Sequence, residues 1–234
     1  MQLIPVIDLL NGKVVHAKKG DRKNYQPIQS LISSSSKPLD VMDALLAYYP
    51  FKQLYIADLN AIQKTGGNNL QLIKSIAKHY PDLKLWIDAG ISSTSELAFW
   101  NDSNFNVILG SENFSGLDIF LEVKNQLDAG FILSLDFMPD GYKGPTELLR
   151  NTNYWPQDVI LMSLTHVGAN QGFNTGLINN FQAYVHSHKL YAAGGIRNAD
   201  DLATLKHAGI SGALIASALH SRQISIEDIK NISQ

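Results

Sequence analysis

A segment of this chain recurs at a fixed offset of 105 residues, and that spacing narrows the folds open to it. LWIDAGISSTSEL (Leu85 to Leu97) lies over LYAAGGIRNADDL (Leu190 to Leu202), which sets Gly90-Ile91 on Gly195-Ile196. The same offset carries Asp58-Leu59 onto Ser163-Leu164 and Gly67 onto Gly172, and Gly110-Ser111 falls on Ala216-Ser217 once one residue is inserted. Anchors that recur in the same order imply two similar halves, approximately 1–115 and 116–234.

Short apolar runs alternate with stretches at helical spacing, the pattern of parallel strands joined by crossover helices. Runs near 2–7, 52–57, 83–87, 105–110, 130–135, 158–162, 189–193 and 211–216 predict eight strands. That is one per roughly 29 residues, a normal βα period, and two four-unit halves close naturally into one α/β domain, a (β/α)8 TIM barrel over 1–234. An open doubly wound sheet, the rival, seldom carries this halfwise symmetry. Pro38 opens a predicted helix over 38–49, Thr94 or Ser95 is expected to cap the helix holding Leu97, and Asn198 the one holding Leu202. A long polar loop from Gly20 to Lys37 follows the first strand, where a lid would sit, with Lys18, Lys19 and Arg22 as its cations.

With 45% hydrophobic and 17% charged residues the chain can bury a large core. No apolar run reaches the roughly 18 residues of a membrane span, and MQLIPVIDLL has neither the basic start nor the cleavage site of a signal peptide, so a cytoplasmic location is expected. The absence of cysteine removes disulfides, thiolate catalysis and Cys-ligated zinc together. A net charge of -2 without basic runs leaves no footprint for nucleic acid. Neither membrane nor nucleic acid is an expected partner, and a monomer is favoured.

Asp8, Asp58, Asp88 and Asp136 stand at or just past the predicted ends of strands 1, 2, 3 and 5. The carboxyl ends of the strands form the active face of such a barrel. Asp8 and Asp136 end the first strand of each half and are expected to face each other across the mouth, one ionised as base and one protonated as acid. Asp58 and Asp88 could equally serve by accepting loop N–H bonds. At the other side of the mouth, Gly194, Gly195 and Ile196 follow strand 7, and Ala216 and Ser217 follow strand 8, where backbone N–H groups can converge on a phosphate. In the first half, Asp88 takes the equivalent place and would repel an anion. Lys19, Gly20, Asp58, Gly110, Ser111 and Gly172 complete the expected contacts to a small phosphorylated substrate.

IPVIDLLNGKVVHAKKGD (Ile4 to Asp21), LYIADL (Leu54 to Leu59), ILGS (Ile108 to Ser111), LSLDF (Leu133 to Phe137), AAGGI (Ala192 to Ile196) and ALIASAL (Ala213 to Leu219) follow in order the histidine-biosynthesis barrels. Across almost its whole length the chain resembles that family, and Gly20-Asp21 makes it more similar to the ProFAR isomerases than to the cyclase subunit of imidazole glycerol phosphate synthase. The resemblance implies an Amadori aldose-to-ketose isomerisation of a phosphoribosyl amine, needing neither metal nor organic cofactor. It also implies Asp8 as the base at sugar C2 and Asp136 as the acid for ring opening.

The departures point to a diverged paralogue. Asp88-Ala89-Gly90-Ile91-Ser92 replaces a run of three glycines with a following Arg, Met162 and Val167-Gly168-Ala169 replace a Thr and an Asp-Gly-Thr, and the loop after Asp136 lacks a tryptophan motif. Gly20 to Val41 also resembles isomerase-like proteins associated with methanopterin-dependent one-carbon metabolism, which keeps lyase or condensation chemistry open, as well as non-catalytic binding of a phosphorylated metabolite. A Schiff-base lysine finds no place on a strand, and a hard cation held by Asp88 and His166 is the remaining alternative. His16, His79, His186, His188 and His207 read as surface residues, Trp86 and Trp100 as packing residues, and Trp155 stays ambiguous.

Overall fold

The computed structural model describes residues 1–16, 25–64, 67–102, 104–127, 130–164 and 172–234. In chain order it forms β1 (Gln2–Leu10), β2 (Lys13–His16), β3 (Gln26–Pro27), α1 (Pro38–Tyr48), β4 (Gln53–Asp58), α2 (Leu59–Ile62), α3 (Leu70–His79), β5 (Lys84–Asp88), α4 (Thr94–Trp100), β6 (Phe105–Gly110) and α5 (Leu117–Lys124). Then follow β7 (Ile132–Met138), β8 (Gly141–Lys143), α6 (Glu147–Arg150), β9 (Asp158–Ser163), α7 (Thr175–Phe181), β10 (Lys189–Ala193), α8 (Ala199–His207), β11 (Gly212–Ile215), α9 (Ser217–His220) and α10 (Ile226–Ser233).

Eight of these strands close into a parallel barrel in the order β1, β4, β5, β6, β7, β9, β10, β11, with β11 pairing back onto β1. The fold is the (β/α)8 barrel that the alternation of runs predicts. The remaining strands are returns: β2 runs antiparallel to β1 and sets Val15 opposite Asp8, β3 runs antiparallel to β2, and β8 runs antiparallel to β7 and sets Lys143 opposite Asp136. The offset of 105 residues carries β4 onto β9, β5 onto β10, and the helix cap Ser93 onto the cap Asn198. Ser93, not Thr94 or Ser95, accepts the first-turn N–H of α4. The strands are apolar on both faces because one face meets the helices and the other fills the barrel.

Between strands and helices lies the larger core, with Ile7, Leu45, Ile73, Phe120 and Leu205 all essentially inaccessible. A second cluster fills the barrel, including Ile4, Trp86, Ile108, Ile160 and Tyr191. Trp86 meets Tyr191 edge to face at 4.9 Å, and the Tyr191 hydroxyl donates to Asp158 at the floor. The ambiguous Trp155 is also a packing residue, stacked on Phe181 with its indole N–H donating to the Leu148 carbonyl. No helix among the described residues is long and apolar enough to cross a membrane.

The described part of the expected lid, residues 25–37, is tied down. Ile28 N–H donates to the Val14 carbonyl, Val14 N–H to that of Ser36, and Leu31 N–H to that of His220. Gly20, Lys18, Lys19 and Arg22 lie outside the described residues.

Candidate active site

The carboxyl ends of the strands surround a cavity of about 460 Å³ lined by Asp8, Asp88, Glu112, Asp136, Gly194, Gly195, Ile196, Ala216 and Ser217, among others. Its opposite sides differ in chemistry. Asp8, Asp88, Glu112 and Asp136 supply four carboxyl groups to the lining. Gly194 and Gly195 present backbone instead, with φ of +96° and +85°, a left-handed path that disfavours side chains.

Asp136 is buried, 5% exposed, in a cage built by the ends of β6 and β7. Its Oδ1 accepts from the Ser134 hydroxyl at 2.6 Å and its Oδ2 from the Glu112 N–H at 3.1 Å. Its own N–H donates to Ser111 Oγ at 2.9 Å, and that hydroxyl donates to the Lys143 carbonyl at 2.6 Å. Burial pushes the Asp136 carboxyl up to about 7, the Ser134 hydrogen bond opposes that rise, and the Glu112 charge adds to it. Asp8 lines the same cavity half-buried. Tyr55 sits among the acids: its hydroxyl donates to Asp88 Oδ2 at 2.9 Å, and burial foremost, then Asp88, Asp8 and Asp136, raises its pKa far above the ordinary phenol range.

Several expected substrate contacts have other duties. Asp58 is fully buried and caps α2, accepting from the N–H groups of Asn60 and Ala61 and from the Asn69 side chain at 2.7 Å. It holds the loop after β4 together and does not line the cavity; the alternative of a carboxylate accepting loop N–H bonds is the one observed. Gly110 and Ser111 are buried behind Asp136. A Cβ on Gly110 would stand 3.2 Å from Asp136 Oδ2, so the glycine makes room for that carboxylate and not for a ligand. Gly172 packs its left-handed backbone under Arg197, also away from the lining. Lys19 and Gly20, like His166, fall outside the described residues.

In the first half, the place corresponding to the glycine loop is internally filled. Gly90 N–H donates to Asp88 Oδ1 at 3.0 Å, its carbonyl accepts from Lys64 at 2.7 Å, and a Cβ there would come within 2.8 Å of Ile62 Cα. The amide that an anion would need is taken by a carboxylate.

Two histidines besides the expected His166 enter the site. His16 is exposed, as its sequence reading has it, and its Nε2 lies 3.0 Å from Ser217 Oγ. His220 is 4% exposed, lines the cavity, and is held down at about 4 by burial and by the nearby His16. Its place three residues after Ser217, on the turn that follows the last strand, was the available signal. Among the described residues no three His, Cys, Asp or Glu side chains are grouped to hold a metal ion.

A family profile described as "Histidine biosynthesis protein" matches residues 2–225. An uncharacterized protein of Methanocaldococcus jannaschii is 29% identical over 236 residues, covering 99% of this chain and 98% of that protein. A 1-(5-phosphoribosyl)-5-((5-phosphoribosylamino)methylideneamino) imidazole-4-carboxamide isomerase of Caldicellulosiruptor bescii is 27% identical over 246 residues, covering 99% and 100%. Its namesake from Flavobacterium johnsoniae is 25% identical over 244 residues, covering 99% and 98%.

Proposed function

The chain belongs to the histidine biosynthesis protein family, and within it we propose an enzyme: an Amadori-type aldose-to-ketose isomerase acting on a phosphorylated ribosyl amine or related sugar phosphate. One observation carries the proposal. Asp8 and Asp136 line one cavity in unlike surroundings, Asp8 half-buried and Asp136 enclosed with its carboxyl raised to about 7. Two carboxyl groups so separated can work as base and acid at one pH. In this reaction Asp136 gives its proton to the ring oxygen and the ring C–O bond breaks, leaving an open-chain iminium. Asp8 then takes the C2 proton, and the released electron pair neutralises the iminium to an enolamine; that enolamine gains a proton at C1 and loses its C2 hydroxyl proton, which leaves the ketone.

The substrate's phosphate sits on the backbone of Gly194, Gly195 and Ile196 with Ala216 and Ser217, and one phosphate is all the mouth takes. A second, at Asp88 and Glu112, would meet two carboxyl groups and a Gly90 amide already engaged. That difference from a two-phosphate substrate is why we assign a paralogue's substrate to this chain. The protein works in the cytoplasm on a small molecule and without a cofactor. Retention of both carboxyl groups disfavours a pure binder, which has no need of them.

The test is incorporation of solvent hydrogen. Incubated in D2O with a phosphoribosyl amine substrate, the protein should form ketose that carries solvent deuterium at C1, where the enolamine is protonated as C2 becomes the carbonyl. Neither ketose nor exchange with any phosphorylated aldosyl amine overturns the proposal. Growth of an isomerase-deficient histidine auxotroph carrying this chain would show that the two-phosphate substrate is still accepted, and would refute the single-phosphate part.

A further inference from the structure

The loop between β3 and α1 fixes the hydrogen on His220. Ser30 Oγ accepts from the N–H groups of Ile32 at 3.1 Å and Ser33 at 3.3 Å, and it stands 2.9 Å from His220 Nδ1. A hydroxyl has two lone pairs and one proton. With both lone pairs taken by backbone donors, the proton is what Ser30 offers to His220, and Nδ1 must accept it. The imidazole hydrogen is therefore on Nε2. Leu31 N–H donates to the His220 carbonyl at 2.8 Å, so the same loop grips the residue at both ends.

Nε2 is buried and finds no hydrogen-bond partner among the described residues. A buried N–H without a partner costs about 1–3 kcal/mol. The residue lines the cavity three positions after Ser217 on the single turn of α9, and its ring, held down at about 4, is neutral at physiological pH. We propose that His220 is a ligand-binding residue that donates its Nε2–H to a phosphoryl oxygen held at Gly195 and Ser217, with Ser30 as the positioning residue that sets its tautomer. This rests on the phosphate assignment above and adds to it a side-chain donor.

Nitrogen-15 NMR of the histidine side chains in the full chain, titrated with inorganic phosphate, tests it. Expected are the Nε2–H tautomer for His220 without phosphate, and joint shifts of His220 Nε2 and the Gly195 amide as phosphate is added. The Nδ1–H tautomer overturns the proposal. A shift at Gly195 alone overturns it while sparing the phosphate assignment, and no shift at either residue overturns both. His220→Phe should weaken phosphate binding about tenfold, with His220→Gln recovering part of the loss through its own N–H donor. Wild-type affinity in a folded His220→Phe refutes the contact. Ser30→Ala should change the tautomer signature, and an unchanged signature refutes the positioning role; these wild-type and Ser30 readouts decide the matter even if His220→Phe does not fold.

Discussion

Ser111 and Asp136 are locked together across the β6–β7 seam: the Asp136 N–H donates to Ser111 Oγ at 2.9 Å, and that hydroxyl in turn donates to the Lys143 carbonyl at 2.6 Å. A residue placed among the substrate contacts by its position in sequence is thus the support of the acid. Ser111→Ala should leave the Asp136 amide buried without its acceptor. The expected cost is about 1–3 kcal/mol of unfolding free energy, measured by urea denaturation, together with a fall in kcat at nearly constant KM. A wild-type denaturation midpoint and kcat would remove Ser111 from this role.

Asp8→Asn and Asp136→Asn should each lower turnover on the true substrate by at least about 100-fold, the low end for loss of a positioned proton-transfer group. The amide keeps the shape but cannot carry the proton, so the loss belongs in kcat. The double variant should be little worse than either single one. Near-wild-type turnover in either single variant, or recovery on adding Mg²⁺, refutes the acid and base pair.

The raised carboxyl of Asp136 makes both activity and stability depend on pH. Activity should fall as pH rises through about 7, because the acid then loses its proton. For stability, a carboxyl that binds its proton more tightly folded than unfolded contributes fully below about 4 and loses that contribution as pH rises to about 7. Asp136→Asn should therefore gain in Tm relative to the parent between pH 4 and 7. A Tm difference that does not change across that window would contradict the buried, raised carboxyl.

Crystals soaked in phosphate should hold one anion on the backbone at Gly195 and Ser217 and none beside Asp88. Equal occupancy next to Asp88 and Ser111 would overturn the single-phosphate assignment. Gly195→Val, which forces a branched side chain onto a left-handed φ of +85°, should weaken phosphate binding by an order of magnitude or more in a calorimetric titration.

Trp86→Ala removes one partner of the edge-to-face pair with Tyr191 inside the barrel. Unfolding free energy should drop by about 3–5 kcal/mol, the usual cost of a large aromatic cavity. A loss under about 1 kcal/mol would mean that the interior closes over the gap.

The barrel was legible in the sequence because its causes are local and repeated: apolar runs at a βα period, and an offset of 105 residues that carries strand onto strand. The same period put Asp8 and Asp136 at strand ends, since side-chain position along a strand follows from counting. What each polar group does was not local. Asp8, Asp58, Asp88 and Asp136 look alike as strand-end carboxylates, yet Asp58 caps α2 and Asp136 sits in a cage supplied by Ser111, Glu112 and Ser134. Burial and the donors met in three dimensions set a carboxyl's proton affinity, and those partners lie up to 25 residues away in the chain. His220 shows the limit most clearly: its neighbour Ser30 is 190 residues distant, so only closure of β11 onto β1 could bring the two together and decide which ring nitrogen carries the hydrogen.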